Sequence, residues 1–234
     1  MTSDHIHIGI FAAVFLSCQN YLIRMHRALR LSHIPKKKRK RPLDLVSLMD
    51  FHLLITMIIP VLLAFILGFG VIKHEDNILL VSLLLILNGI ILYIPQYLTG
   101  SNRDARTLSR GQGLLIGIGA AFSALPGISA IGMSVSFGQA VGEDKKYSFH
   151  MALLLECFVL LILIIEDFLR IAGTGFDFSF SLIMRSFLGA IGAFGTSLLG
   201  IKLMRRLAEN NGFSLFALYC WAVAVISLLL TLLV

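Results

Sequence analysis

Charged residues are scarce in this chain. They make up 14% of its 234 residues, whereas hydrophobic residues make up 57%. Soluble domains carry about 25% charged residues, so this composition excludes a water-soluble globular protein and predicts one that lies in a bilayer. Cysteine is rare as well. Cys18, Cys157 and Cys220 fall within apolar runs and lack metal-ligand spacing, so we expect neither a disulfide nor a metal site.

Long apolar runs fill most of the chain. A helix needs about 20 mostly apolar residues to cross a bilayer, and such runs predict spans at 6–23, 51–72, 78–97, 147–168, 182–204 and 214–234. The N-terminus has Asp4, His5 and His7 where a cleaved signal peptide would have basic residues, so we expect the first run to remain as a span. The predicted fold class is an all-α polytopic membrane protein, a single membrane domain over 1–234.

One further apolar segment, 113–141, is interrupted at its midpoint by Leu125-Pro126-Gly127. A Pro-Gly break at membrane depth is tolerated only where the freed backbone groups are buried in protein or line a cavity. The segment is therefore a candidate site, and we expect a re-entrant, broken helix pair there in addition to the six transmembrane helices.

The positive charges favour a segment that enters and returns on one side. In that case the loops 24–41, 100–112, 142–146 and 202–213 share one face of the membrane, which then carries 17 of the 20 Lys and Arg residues. A single crossing would divide these charges between both sides. Because basic loops lie in the cytoplasm, we expect a basic cytoplasmic loop at 24–50. Both termini, the turn from Lys73 to Asn77 and the 169–181 loop are then expected outside.

The run of basic residues at 36–41 lies between two prolines. Such a string is found in nuclear-localisation signals and nucleic-acid patches. Directly after a span it instead indicates an anchor near anionic lipid, where each basic residue contributes about 1 kcal/mol. We expect the lipid bilayer as a partner and no nucleic acid.

Around the break the sequence resembles the bacterial undecaprenyl-diphosphate phosphatases, the bacitracin-resistance family. That family carries Gly-x-x-Gln-x-x-Ala-x-x-Pro-Gly-x-Ser-Arg-Ser-Gly, followed further along by Phe-Ser-Phe, and its last span opens with Phe-x-x-Phe-Ala-x-Tyr. The similar residues here are Gly117, Ser123, Pro126 to Gly132, Tyr147-Ser148-Phe149, the tail from Phe213 to Tyr219 and, upstream, His7 to Val14.

The resemblance implies a multi-pass protein of the bacterial inner membrane that binds a polyprenyl diphosphate lipid. If the protein is active, the resemblance implies hydrolysis of undecaprenyl diphosphate to undecaprenyl phosphate and phosphate, which recycles the lipid carrier for cell-wall synthesis and gives bacitracin resistance. It also implies Mg²⁺ or Ca²⁺ as the metal used.

The chain departs from the family pattern at three positions of the motif. The family's Gln aligns with Ala120, its Arg with Ala130 and its second Ser with Ile131. The guanidinium group would have supplied bidentate hydrogen bonds to the charge that develops on the phosphate oxygens, and alanine supplies none.

A second departure lies at the front of the chain. The family's Glu-x-x-x-Glu pair and Pro-Val-Ser-Ser-Thr-Gly-His would precede His5. Two explanations stay open: a start that lies further upstream, or a shortened paralogue that binds or translocates the lipid carrier without hydrolysis. A third reading is a scaffold that completes its missing half with another chain.

The candidate site residues follow from the break and from ionisable groups within spans. We expect Ser129 and Glu156 as catalytic residues, although Ser129 is also suited to cap a helix and Glu156 to be protonated in the core. The residues expected to bind substrate are Pro126, Gly127, Ile128, Gly132, Ser134, Arg110 and His150. For His150 and Arg110, anchoring at the membrane surface is the alternative.

Two further clusters are expected to be structural. Glu166, Asp167, Arg170 and Arg185 are expected to pair with one another at the outer face. The fifth span has a face of small residues for close helix contact, made of Gly189, Gly192, Gly195 and Gly200 with Ala190, Ala193 and Ser197 between them. That face could also support a homodimer.

Overall fold

The described part of the chain folds into eight α-helices. The computed structural model describes residues 4–39, 42–67, 78–98, 102–174, 180–210 and 214–233. The helices are α1 (Asp4–Ser32), α2 (Leu45–Ile66), α3 (Ile78–Tyr93), α4 (Arg110–Ala121), α5 (Ala130–Ala140), α6 (Lys145–Thr174), α7 (Phe180–Glu209) and α8 (Ser214–Leu233). Six of them, all but α4 and α5, are long and apolar enough to cross a membrane, which confirms the predicted fold class.

Polar side chains cap the first turns of α2 and α4. Asp44 precedes α2 and accepts hydrogen bonds from the backbone N–H of Ser47 (3.1 Å) and from its hydroxyl (2.7 Å). These bonds lower the pKa of Asp44. Ser109 precedes α4 and forms a capping box with Gln112, because each side chain bonds the backbone N–H of the other residue.

The first helix is longer than expected. The sequence predicted a span at 6–23 followed by a loop, but α1 continues to Ser32, so Arg24, Arg27 and Arg30 lie on a helix. The loop boundary was wrong because charge marks where a helix leaves the membrane and not where it ends. Neither glycine nor proline interrupts the chain between Gly9 and Pro35.

The core is centred on α6. Among the residues that are almost completely buried, α6 supplies Phe149, Met151, Leu153, Leu154 and Leu155. It packs against α1 and α5, while α2 packs against α4, and α3 against α8. In a bilayer such contacts are held by close packing, since lipid is as apolar as the side chains. The central helix thereby supports the broken pair from one side.

Helix α7 lies at the periphery and contacts mainly α1. The close approach is between Gly9 and Ala190, whose backbone oxygen occupies the space that a Cβ on Gly9 would need. Ala190 belongs to the stripe of small residues predicted for packing, so the prediction is confirmed at that residue. The four glycines of the stripe take no part among the described residues, because a Cβ built on each of them meets nothing within 4 Å.

The basic segments meet at one end of the bundle. Arg103 is joined by backbone hydrogen bonds to Gly142 (3.3 Å) and Asp144 (2.9 Å), and the Tyr147 hydroxyl donates to Asp50 Oδ1 (2.8 Å). We call this the basic end, formed by the described residues of 24–50, 102–110, 142–147 and 202–209. The predicted turn from Lys73 to Asn77 lies outside the described residues.

Candidate functional site

The interrupted segment forms two short antiparallel helices with a sharp tip. Helix α4 ends in a 3-10 turn over Phe122–Ala124, and α5 begins at Ala130. The two helices have 12 and 11 residues, which is about 18 Å and 16 Å of rise. Neither length reaches the roughly 30 Å of a bilayer core.

The entry and the exit of this pair lie side by side. The backbone bonds of Arg103 to Gly142 and Asp144 connect the residues before α4 with those after α5. The Gln112 side chain adds a bond from α4 to the carbonyl of Val141 (3.5 Å). The segment therefore enters and returns at the basic end, as the charge distribution predicted.

The tip, residues 125–129, combines a left-handed glycine with two buried neighbours. Gly127 has φ +79° and is exposed, whereas Pro126 and Ile128 are buried. A Cβ on Gly127 would lie 3.2 Å from Cγ of Leu85 on α3. Only glycine adopts this turn without strain, so the tip needs Gly127 for its shape.

Ser129 caps the second short helix. Its Oγ accepts the backbone N–H of Gly132 at 3.2 Å, and its backbone is extended (φ −89°, ψ 120°). The capping role is thereby confirmed, and the role as nucleophile stays a prediction. Gly132 lies against α3, where its Cβ would be 2.7 Å from Leu92.

Buried hydroxyl groups line the interior of the short pair. Ser123, Ser134 and Ser136 are at most 3% exposed, and within the described residues their Oγ atoms have no hydrogen-bond partner. Burying a hydroxyl without a partner costs about 1–3 kcal/mol. The sequence pointed to Ser134. Ser123 was noted only as part of the family resemblance, and Ser136 was not singled out, since serine in a short helix is ordinarily read as a packing residue.

Glu156 lies in the middle of α6 and is half-buried between two buried neighbours, Leu155 and Cys157. Helices α4 and α6 both start at the basic end. Glu156 and Ala121 each come 11 residues after the first residue of their helix, which is about 16 Å along the axis. Measured along its own helix, Glu156 is thus about as far from the basic end as the last residue of α4 is.

Two of the predicted substrate ligands lie at the basic end instead. Arg110 is the first residue of α4 and is exposed, about 16 Å along the helix from Ala121. His150 packs its ring on Tyr21, with 4.6 Å between centroids, and its Nδ1 bonds the carbonyl of Lys146. The predicted ligand set is thus divided between two ends of α4.

An apolar cavity of about 140 Å³ lies beside the tip. Its walls are Ala64 on α2 and Ile118, Ala121, Phe122 and Leu125 on the first half of the pair. The cavity has the chemistry of a site for a hydrocarbon group, and Leu125 places it next to the turn at 125–129.

A charged cluster joins α1 to α6 far from the basic end. Arg170 donates to Asp167 at 2.6 Å, and His7 Nδ1 lies 2.6 Å from the other carboxyl oxygen of Asp167. The predicted ion pair of Asp167 with Arg170 is confirmed. The partner His7 was missed because it is 160 residues away in sequence.

The donor set at the tip does not suit a hard divalent cation. Mg²⁺ and Ca²⁺ bind carboxylate and carbonyl oxygens, whereas the tip presents a serine hydroxyl and the start of a helix, which favour an anion. Among the described residues no three His, Cys, Asp or Glu side chains come together as metal ligands. We therefore assign no metal-dependent step to these residues.

Comparison with known proteins decides the family. The family described as "Bacitracin resistance protein BacA" matches residues 1–226. This chain belongs to the BacA family. It is 30% identical to the undecaprenyl-diphosphatase of Methanobrevibacter smithii, over 61% of this chain and 50% of that protein. It is also 24% identical to another BacA relative, the undecaprenyl-diphosphatase of Methanosphaera stadtmanae, over 97% of this chain and 82% of the relative.

A third relative is the undecaprenyl-diphosphatase of Desulforapulum autotrophicum, 25% identical over 66% of this chain and 54% of that protein. The chain thus spans about half the length of two of these three BacA relatives. Membership of the BacA family agrees with the multi-pass architecture that the six apolar helices indicate.

Proposed function

We propose that this protein binds a polyprenyl diphosphate, with its head group at the tip and the first prenyl units in the apolar cavity, and hydrolyses it to the monophosphate. The observation that carries the proposal is the BacA match over residues 1–226. The undecaprenyl-diphosphatase names of the relatives supply the substrate and the reaction.

The tip has the electrostatics that a diphosphate needs. Helix α5 directs its N-terminal, positive end toward residues 126–129, and backbone N–H groups at a helix start are a common anion site. The apolar cavity next to it can take hydrocarbon. The unpartnered hydroxyl groups of Ser123 and Ser134 add polar atoms to the interior of the same pair.

In this proposal Ser129 and Glu156 are the two catalytic residues. Ser129 Oγ already lies at the helix start that would hold the phosphate. Measured along its own helix, Glu156 is about as far from the basic end as the last residue of α4 is, and it is half-buried, where a carboxyl group can gain or lose a proton. The positively charged basic end lies in the cytoplasm by the positive-inside rule, which puts both termini outside.

The competing proposal is a protein that binds or moves the lipid carrier without cleaving it. It is favoured by Ala120 and Ala130, which stand where the family pattern has Gln and Arg. Without the guanidinium group, the developing charge on the phosphate oxygens loses its strongest donor, a loss of about 100-fold or more in rate.

Phosphate release from undecaprenyl diphosphate by the purified protein in detergent, with Mg²⁺ or Ca²⁺ supplied, separates the two proposals. If Ser129 acts in the reaction, Ser129→Ala and Ser129→Gly both lower the rate by about 100-fold or more. Glycine is a good helix cap and alanine is not. Ser129→Gly therefore keeps the fold near wild-type stability and removes only the hydroxyl.

The outcomes are distinct. Release that is retained in Ser129→Gly removes Ser129 from the chemistry. No release by the unaltered protein, together with binding of the lipid, rejects hydrolysis and supports the carrier-binding proposal. If the unaltered protein neither hydrolyses nor binds undecaprenyl diphosphate, the tip is rejected as a site for its head group.

Binding at the tip depends on the shape of its turn. Gly127→Leu is expected to weaken binding of undecaprenyl diphosphate by about tenfold or more. A leucine is strained at φ +79° and crowds Leu85. Gly189→Leu is the matched control, because a Cβ there meets nothing within 4 Å. Equal affinities of the two variants in a titration in detergent would place the lipid elsewhere.

A further inference from the structure

A second cavity opens at the basic end, where α2 and the residues that lead into α4 come together. Its volume is about 190 Å³, which suits a head group and is small for a whole ligand of drug size. The residues that line it are Met49, His52, Leu53, Ala105, Leu108 and Arg110. None of these lining residues belongs to the tip.

Two polar side chains line this cavity, and both can contact a phosphate group. The Nδ1–H of His52 donates to the carbonyl of Leu48 (2.7 Å). Its Nε2 therefore accepts a hydrogen bond in the neutral ring, for example from a protonated phosphate oxygen, and donates one when the ring is protonated. Arg110 is exposed and its guanidinium group carries five N–H donors. No carboxylate is among the lining residues.

The acidic residues nearby have other partners. Asp50 accepts the hydroxyl of Tyr147 at 2.8 Å. Asp104 accepts the backbone N–H of Arg106 at 2.9 Å and pairs with its side chain at 3.7 Å. These bonds to neutral groups leave the carboxylate charges in place, but neither aspartate lines the cavity, and Arg110 does. The many Lys and Arg residues of the basic end add to the positive potential there.

The remaining lining is apolar and is contributed by two elements, Met49 and Leu53 on α2, and Ala105 and Leu108 before α4. An arginine and a histidine next to apolar side chains suit a ligand that has both a phosphate group and a hydrocarbon chain. A free phosphate ion would contact only the arginine and the histidine.

We propose that this cavity binds the phosphate group of a lipid from the leaflet at the basic end, with Arg110 as the main ligand and His52 as the second. It is a separate site from the tip, about 16 Å away along α4. It goes beyond the proposed function, because it requires neither hydrolysis nor binding at the tip.

The test is photo-crosslinking of the full chain in detergent with farnesyl phosphate that carries a diazirine on its hydrocarbon chain, followed by mapping of the labelled peptides. We expect labelling of the peptides that contain Met49 and Leu108. In Arg110→Gln and in His52→Gln that labelling falls, by about tenfold or more for Arg110→Gln. Lys146→Gln is the matched control, since Lys146 is an exposed cation at the same end and does not line the cavity.

Repeating the labelling in the Gly127→Leu variant distinguishes this cavity from the tip, where that substitution is expected to weaken binding. Labelling at Met49 and Leu108 that persists there and depends on Arg110 supports this site, whatever happens at the tip. Labelling confined to peptides of the tip, or an equal loss in Lys146→Gln, overturns it.

Competition identifies the source of the phosphate. Farnesyl phosphate without the diazirine should displace the probe, whereas farnesol and inorganic phosphate at the same concentration should not. Displacement by inorganic phosphate as effective as by farnesyl phosphate would make free phosphate the ligand and overturn the assignment to a lipid.

Discussion

Gly117→Val is expected to destabilise the folded protein by about 3 kcal/mol or more. A Cβ on Gly117 would overlap the backbone carbonyl of Met57 on α2, and a carbonyl within a helix cannot move aside as a flexible side chain can. Overpacking in a close-packed interior costs about 1–3 kcal/mol and sometimes more. Because α2 carries the first half of the broken pair through this contact, the melting temperature in detergent should fall markedly.

Gly192→Val provides the matched control for this prediction. It places the same side chain at a glycine of a long helix, but a Cβ there meets nothing within 4 Å. Its melting temperature should stay close to that of the wild type. The single tryptophan, Trp221, donates to the carbonyl of Ile86 (3.2 Å) and so reports on the packing of α8 against α3. Equal melting temperatures for Gly117→Val and Gly192→Val would show that α2 and α4 do not pack as described.

The difference between these two glycines marks a limit of reasoning from sequence. Both lie in helices of an apolar chain, and a stripe of small residues at 189–200 looks like the better packing face. In the structure the close approaches are made by Gly117 to Met57 and by Gly9 to Ala190, so the stripe takes part through Ala190 and not through its glycines. Which face of a helix meets a neighbour depends on the order in which the helices are arranged, and hydropathy does not contain that information.

The spans and the re-entrant pair could be predicted because they depend on short stretches of sequence and on a simple sum of charges. A hydrophobic run of about 20 residues spans a bilayer wherever it occurs, and Pro126-Gly127 breaks a helix by its own backbone chemistry. The re-entrant path required only a count of positive charges. The bonds of Arg103 to Gly142 and Asp144 agree with that count.

The site was harder to predict because it depends on how far each residue lies from the basic end of the bundle. Arg110 lies just before the segment 113–141 that contains Gly127, and the two were expected to bind one substrate. The length of α4 separates them, because Arg110 is its first residue and Gly127 lies in the tip beyond its last. The result is two cavities of different character, one polar at the basic end and one apolar at the tip.

Glu143 was also not found from sequence. It follows the second helix of the pair in a stretch with Asp144, Lys145 and Lys146, which reads as a solvated charged turn. In the structure Glu143 is 2% exposed. Within the part of the chain that the structure describes, neither of its carboxyl oxygens has a hydrogen-bond partner. Its backbone explains the position, since its N–H donates to the carbonyl of Gly138 (2.9 Å) where the pair closes.

The burial of Glu143 makes stability depend on pH. Desolvation raises the pKa of its carboxyl group from 4.5 to about 8, and the neighbouring Ser148 hydroxyl offsets only part of that effect. The folded state thus holds the proton more tightly than the unfolded state does. Below pH 4.5 the carboxyl group is neutral in both states and costs nothing. As the pH rises from 4.5 to about 8, the fold loses up to about 5 kcal/mol relative to an uncharged group.

Glu143→Gln should therefore stabilise the protein, and by more at high pH than at low pH. The amide keeps the size of the side chain and carries no charge. Melting temperatures in detergent should differ by little at about pH 5 and by the equivalent of about 4 kcal/mol at about pH 8.5. Glu209→Gln at an exposed position of α7 should shift neither value. If the melting temperatures of the wild type and Glu143→Gln change in parallel across this range, the carboxyl group of Glu143 is hydrated in the folded protein. Water must then reach the basic end of the broken pair, which the backbone bonds of Arg103 would otherwise keep closed.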